Sequence, residues 1–196
     1  MPAEAGQFVL VAFFRGPRYR GCGEYHPFTI SAIDEDQRFR IGVKALGDCT
    51  RRMQDLEPGV EARVQGPFGN FMLERPPKPQ LWVAGGIGIT PFLASLRNSR
   101  VEHATRLLYL YRGDADAAFR EELETLAATN DSFSLEAHAT GDTTPDLAAI
   151  LPGADELTGH ECYLCGPPGL LDAVGRILQS RGVPAAQIHF ERFDFR

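Results

Sequence analysis

Apolar positions follow two different rhythms along this chain. In the first third, runs dense in β-branched and aromatic residues alternate with turn-forming segments: FVLVAFF (residues 8–14), HPFTIS (26–31), RFRIGVKAL (38–46) and EARVQGPFG (61–69). Each predicts a β-strand, and together they predict a small antiparallel barrel. Residues 15–24, with glycines and Pro17, predict a loop. The proline-rich ERPPKPQ (74–80) predicts a linker dividing residues 1–76 from 77–196. From Leu81 onward strands alternate with helices. LLYLYR (107–112), FSLEAHA (133–139), CYLCG (162–166) and IHFERF (188–193) read as strands. One amphipathic helix carries Phe119, Leu123, Leu126 and Ala127 on one face. A second carries Leu170, Leu171, Val174, Ile177 and Leu178, ended by Gly182 at C′ with Pro184 beyond. This alternation implies a parallel sheet covered on both faces, with ligands at the carboxyl ends of its strands.

LWVAGGIGITPF (81–92) is the stretch around which this arrangement turns. Residues 81–84 read as a buried strand entering a glycine-dense turn. Thr90 and Pro91 suit the N-cap and first position of a helix. Two readings stay open. Glycines that admit a ligand close to the backbone, beside the positive end of a helix, suit a phosphate-bearing nucleotide. Alternatively the stretch is a tight strand-to-helix turn, since Gly86-x-Gly88 is followed by Pro91 where a dinucleotide fingerprint has its third glycine.

Composition narrows the function classes. With 196 residues, 43% hydrophobic and 23% charged, the chain is expected to be a soluble globular protein of two domains. A formal net charge of −6, with scattered arginines, argues against a nucleic-acid partner. No apolar run reaches the roughly twenty residues needed to cross a bilayer, so a cytoplasmic location without direct membrane insertion is expected. The cysteines Cys22, Cys49, Cys162 and Cys165 suggest neither a disulfide framework nor a paired zinc or iron–sulfur site.

Three further stretches each admit two readings. In HPFTIS, Thr29 either points its hydroxyl at a ring nitrogen of a cofactor or is a β-favouring threonine facing water. In VKALGDCT, Lys44 either meets a phosphate or is an exposed lysine before the short helix that residues 47–50 begin. In CYLCGPPG, Cys162 is expected in the core. Cys165, at the strand's carboxyl end, is either a thiol in the ligand crevice or a small buried hydrophobe.

Taken in order, HPFT, VKALGDCT, GPFG, GGIGITPF, YLYR, CGPP and the terminal ERF resemble the ferredoxin–NADP reductase superfamily over residues 6–193. Within it the chain looks most like the dehydrogenase half of ferric reductases and NADPH oxidases, where HPFT replaces an arginine–aromatic–Ser/Thr flavin motif. The resemblance implies an antiparallel FAD-binding barrel, short of its first strands, followed by a Rossmann-like NAD(P)-binding domain. It implies that His26, Pro27, Phe28 and Thr29 hold the isoalloxazine, with Thr29 bonding N5. It places Lys44, Gly47, Cys49 and Thr50 at the FAD pyrophosphate. Gly85, Gly86, Gly88, Ile89, Thr90 and Pro91 match the nicotinamide-nucleotide pyrophosphate turn. Arg112 matches a position that meets the adenosine 2′-phosphate, favouring NADPH with NADH possible. Cys165, Gly166 and Pro167 match the motif beside nicotinamide C4. Glu191 and Phe193 match the terminal E-x-F whose ring covers the flavin, with Phe195 as a competitor for that place.

The implied activity is hydride transfer from NAD(P)H to FAD, with Thr29, Cys165, Glu191 and Phe193 in catalytic places and no metal. Electrons are expected to pass to a haem-containing transmembrane domain, making the chain the cytosolic part of an integral membrane protein. A soluble electron-transfer reductase subunit and a non-catalytic nucleotide-binding module are the alternatives.

Overall fold

The computed structural model describes all residues except 1, 2, 5, 17, 37, 74, 100 and 193–196. Two sheets organise it. Strands β1 (Phe8–Phe13), β2 (His26–Ile33), β3 (Phe39–Ile41) and β4 (Ala62–Phe68) form an antiparallel sheet in the order β3-β2-β1-β4. It is an open form of the expected barrel, with β3 and β4 as its edges. Its inner face buries Val9, Val11, Phe28 and Ile30 together with Met53, which follows the short helix α1 (Asp48–Arg52).

The second sheet comprises β5 (Gln80–Gly85), β6 (Thr105–Tyr111), β7 (Phe133–Ala139), β8 (Glu161–Gly166) and β9 (Ile188–Arg192). All its pairings are parallel, in the order β7-β6-β5-β8-β9. Every residue of β5 and of β8 is buried, as befits central strands covered on both faces. Alternate side chains go to opposite faces. Trp82 and Ala84 join the core beneath α2 (Thr90–Asn98) and α3 (Arg120–Ala128). Leu81 and Val83 join the core beneath α4 (Leu147–Ile150) and α5 (Pro168–Ser180). The end of α5 is a complete Schellman motif. Gly182 adopts φ +88°, its N–H donates to the Gln179 carbonyl at 3.0 Å, and the Val183 N–H donates to that of Leu178 at 3.0 Å. No helix among the described residues is long and apolar enough to cross a membrane.

Three local expectations are corrected. The strand expected over residues 38–46 pairs only through Phe39–Ile41. Beyond it Gly42 lies against the start of α2, where a Cβ would come within 3.2 Å of Thr90 Cγ2 and 3.3 Å of Ile87 Cδ1, so the chain leaves the sheet to pack there. The helix cap is Ile89 instead of Thr90, because a 3-10 turn over Gly86–Ile89 has already begun the winding. Thr90 Oγ1 accordingly donates back to the Ile87 carbonyl at 3.0 Å. Phe119 precedes α3 in a left-handed conformation, φ 62°, and its ring receives the Arg97 guanidinium at 5.5 Å.

The two sheets meet along α2 and β2. Arg97 Nη1 donates to the Ser31 carbonyl of β2 at 3.0 Å, while Nε and Nη2 clasp the Glu122 carboxylate of α3 at 2.7 Å each. One side chain thus joins both units.

Candidate functional site

The strand order sets the site. From β5 the chain runs outward through β6 and β7, then crosses back to β8 on the opposite side, so the carboxyl ends of β5 and β8 flank a topological switch point. Ala84 and Cys165 are paired there, and the turns that follow them pack together. A Cβ on Gly85 would lie 2.6 Å from Leu170 Cδ2 and 2.8 Å from Pro167 Cδ; on Gly88 it would lie 2.7 Å from the Cys165 carbonyl carbon and 2.9 Å from Gly166 Cα. Those two glycines therefore serve turn-to-turn packing. Gly86 is different: its φ is +54°, and Lys44 Nζ, 3.7 Å away, is all a Cβ would meet. The tight-turn reading is met at Gly85 and Gly88, while Gly86 is crowded by nothing but Lys44. Ile89, Thr90 and Pro91 are buried behind the turn.

The flavin-motif residues lie on β2 of the other sheet, paired with β1. Phe28 is in the core, while His26 and Pro27 are half-buried. Thr29 is 5% exposed, so the residue is largely withdrawn from water. Lys44 reaches across from the segment after β3 to Asp116, beyond β6, at 2.7 Å. Hydrogen bonding to that lysine, reinforced by its charge, holds the Asp116 carboxyl below the usual carboxylate range. Gly47 is exposed at the start of α1, with open space where a Cβ would be. The Thr50 hydroxyl accepts from the Leu46 and Gly47 N–H groups at 2.9 Å each, so it shapes the turn.

Cys49 brings a correction. Its sulfur is joined to that of Cys22 in a disulfide, with Cα atoms 5.6 Å apart, where no such pairing was expected. The sulfur of Cys49 is thus engaged with the loop before β2, which folds onto α1. Cys165 brings another. Its side chain is fully buried beside Trp82 and Tyr163, and only its backbone fronts the switch point. Burial above all, then the neighbouring Glu191 carboxylate, pushes its thiol well above the ordinary range, so it is a neutral group. Glu191, paired with Cys165 across β8 and β9, is itself raised by burial. Cys162 is in the core as expected. Gly166 and Pro167 follow at the switch point. Arg112 stands just past β6, largely exposed, with Nε 2.9 Å from Asp142 Oδ1. Phe193 and Phe195 lie outside the described residues.

Sequence reasoning missed Asp116, Arg97 and Cys22. No motif marks the first two; the proximity of Cys22 to Cys49 spans 27 residues and needed the fold.

The switch point thus presents a glycine turn, uncrowded at Gly86, with a lysine beside it. Residues 82–176 match the family model described as the oxidoreductase NAD-binding domain. The chain is 32% identical to ferredoxin–NADP reductase B of Sorangium cellulosum over 97% of its own length and 85% of that protein's. It is 33% identical to the toluate 1,2-dioxygenase electron transfer component of Pseudomonas putida over 88% of its own length. The chain spans about half the length of several such curated relatives, 55% in that case. In fold it resembles the flavohem-like FAD/NAD-binding domain of nitric oxide dioxygenase from Vibrio cholerae, with a TM-score of 0.78 at 21% identity, covering 97% of this chain and 85% of that one. This chain belongs to the ferredoxin–NADP reductase family, with its antiparallel flavin sheet, its parallel nicotinamide-nucleotide domain and the FAD and NAD(P)H cofactors that go with them.

Proposed function

We propose that this chain moves a hydride from NADPH, or NADH, onto FAD and delivers the electrons singly to a haem acceptor in a transmembrane domain of the ferric reductase or NADPH oxidase type. One observation carries the reading: two glycine turns meet at the switch point of the parallel sheet, and Lys44 joins the flavin unit to that point. When bound, FAD accepts a hydride at N5 and can release electrons one at a time. The protein's task is alignment and exclusion of water.

His26, Pro27 and Thr29 would hold the isoalloxazine, with the Thr29 hydroxyl offered to N5, and Phe28 would back them from the core. Lys44, Gly47 and Thr50 hold the FAD pyrophosphate by charge and backbone, with Cys49 contributing its N–H and not its sulfur. Gly86, at the open side of the Gly85–Ile89 turn, admits the nicotinamide-nucleotide pyrophosphate. Arg112 offers its guanidinium to a 2′-phosphate in exchange for Asp142. The Cys165 backbone, Gly166 and Pro167 would form the floor beneath the nicotinamide, with the neutral thiol turned into the core. Glu191 leads the chain towards the covering aromatic, Phe193. These roles follow the domain division at residues 1–76 and 77–196.

The haem acceptor rests on HPFT. A second reading, a soluble reductase subunit serving an oxygenase, is favoured by similarity to the toluate 1,2-dioxygenase component and to phthalate dioxygenase reductase of Burkholderia cepacia. The test is to load the purified protein with FAD, remove oxygen and add NADPH or NADH. Bleaching of the flavin band is expected, faster with NADPH; FAD binding without bleaching by either nucleotide overturns the reading. Electron delivery to a soluble iron–sulfur protein but not to haem would select the second.

A further inference from the structure

Beside the flavin motif, and sharing His26 with it, stands a group of side chains whose two sulfurs and carboxylate the proposed reductase chemistry does not use. The loop before β2 supplies Cys22 and Glu24, β2 opens with His26, and α1 supplies Cys49; one ligand atom from each lies within 4.8 Å of all the others. Glu24 Oε2 is 3.7 Å from Cys49 Sγ and 3.9 Å from His26 Nε2. The donors of a tetrahedral zinc site, with bonds of about 2.0–2.3 Å, stand roughly 3.3–3.8 Å from one another. His26 Nε2 is buried and has no hydrogen-bond partner, an arrangement that leaves a lone pair or a proton unanswered.

The scaffold holding these groups is firm. The Cys22 and Gly23 N–H groups both donate to the Phe13 carbonyl, at 3.1 and 3.2 Å, and Arg52 of α1 donates to the Gly21 carbonyl at 3.4 Å. Gly21, at φ +81°, packs so closely on Phe14 that a Cβ would come within 2.8 Å of its carbonyl carbon.

We propose that Cys22, Glu24, His26 and Cys49 form a binding site for Zn²⁺ when the Cys22–Cys49 disulfide is reduced. Two sulfurs, one imidazole nitrogen and one carboxylate oxygen make a borderline-soft, four-donor set that suits this ion. A thiol or phosphine reductant supplies two electrons, and with two protons the disulfide becomes two thiols; Zn²⁺ then displaces both protons, so each ion bound releases two. The metal thereby replaces one cross-link between the loop and α1 by another. Glu24 is the most exposed of the four, its side chain 74% accessible, and is the ligand a water most readily replaces.

The site is tested on the full chain, freed of flavin and metal, so that failure here is separate from failure of the reductase reading. Reduced with a phosphine under anaerobic conditions, the protein is titrated with Zn²⁺ by calorimetry and with Co²⁺ by absorption. One ion per chain is expected, with thiolate-to-cobalt charge transfer and the d–d bands of tetrahedral Co²⁺. Cys22→Ser and Cys49→Ser are expected to abolish the charge transfer from their sulfur. Glu24→Gln is expected to weaken binding by roughly tenfold, the smallest loss of the set. Cys162 and Cys165 are buried far from solvent and do not contribute. The proposal is overturned if reduced wild-type protein, shown folded by circular dichroism, takes up no Zn²⁺ saturably. It is equally overturned if the Cys22→Ser/Cys49→Ser double variant, or the oxidised protein, binds as well.

Discussion

Gly88→Ala probes the switch point directly. A methyl group there would be 2.7 Å from the Cys165 carbonyl carbon and 2.9 Å from Gly166 Cα, both backbone atoms at the centre of the parallel sheet. Neither can swing aside as a flexible side chain would, so the turn and the end of β8 must part. The φ of Gly88 lies outside the left-handed region, so crowding is the whole effect. Overpacking of this kind costs about 1–3 kcal/mol, and backbone neighbours place it in the upper half, about 2–3 kcal/mol. For a chain of this size that lowers Tm by about 4–12 °C. Urea unfolding gives the free energy and nucleotide titration gives the affinity. Gly86→Ala is the comparison: its left-handed φ costs about 1–2 kcal/mol, but the new methyl meets only Lys44 Nζ, in ordinary contact at 3.7 Å. Gly88→Ala is expected to weaken nucleotide binding through the displaced turn as well as stability. If it unfolds within about 0.5 kcal/mol of wild type and binds nucleotide equally well, the close packing of the two turns does not hold the site together.

Two further outcomes are expected. Arg97→Met removes the paired bonds to Glu122 and the bond to the Ser31 carbonyl. With Arg97 21% and Glu122 39% exposed, solvent screening limits the loss to about 1–3 kcal/mol in urea unfolding, and the Arg97→Met/Glu122→Gln pair should fall short of additivity. Full additivity would show that the two side chains act separately. Glu191 has its folded pKa raised by burial above the usual glutamate value of 4.5, so its contribution is fully present below 4.5 and lost as pH rises through the folded value. Glu191→Gln should therefore be the more stable protein at neutral pH, with the difference vanishing below pH 4.5; a Tm difference independent of pH would contradict the burial effect.

The parallel sheet was legible because its central strands are buried on both faces and so must be continuously apolar, as LWVA and CYLC are. The end of α5 was legible because Gly182 and Pro184 each have one strong conformational use there. Local signals failed where a distant partner decided the outcome. The residues after Ile41 have strand-forming chemistry but pack against α2 instead of a strand. Thr90 is a good cap residue displaced by a 3-10 turn that winds before it. At the candidate site, the two glycine turns were visible one at a time, while their adjacency depends on β5 lying beside β8, a matter of strand order that no turn motif encodes. Lys44 and Arg112 were readable as candidate cations; their carboxylate partners Asp116 and Asp142 were not.

The Lys44–Asp116 pair, at 2.7 Å, alters what an arriving phosphate gains. In water a free lysine would offer its whole attraction to the guest. The pyrophosphate proposed for Lys44 would have to outbid a carboxylate already in place, so its binding would be an exchange of anions whose net worth is the difference between two contacts of the same kind. Added salt weakens both contacts together, and affinity at this lysine becomes less sensitive to ionic strength than its charge suggests. Asp116, so displaced, would be left beside the bound flavin, ready to reclaim the ammonium group whenever the flavin leaves, which would turn a fixed attraction into a reversible hand-over between two halves of the molecule.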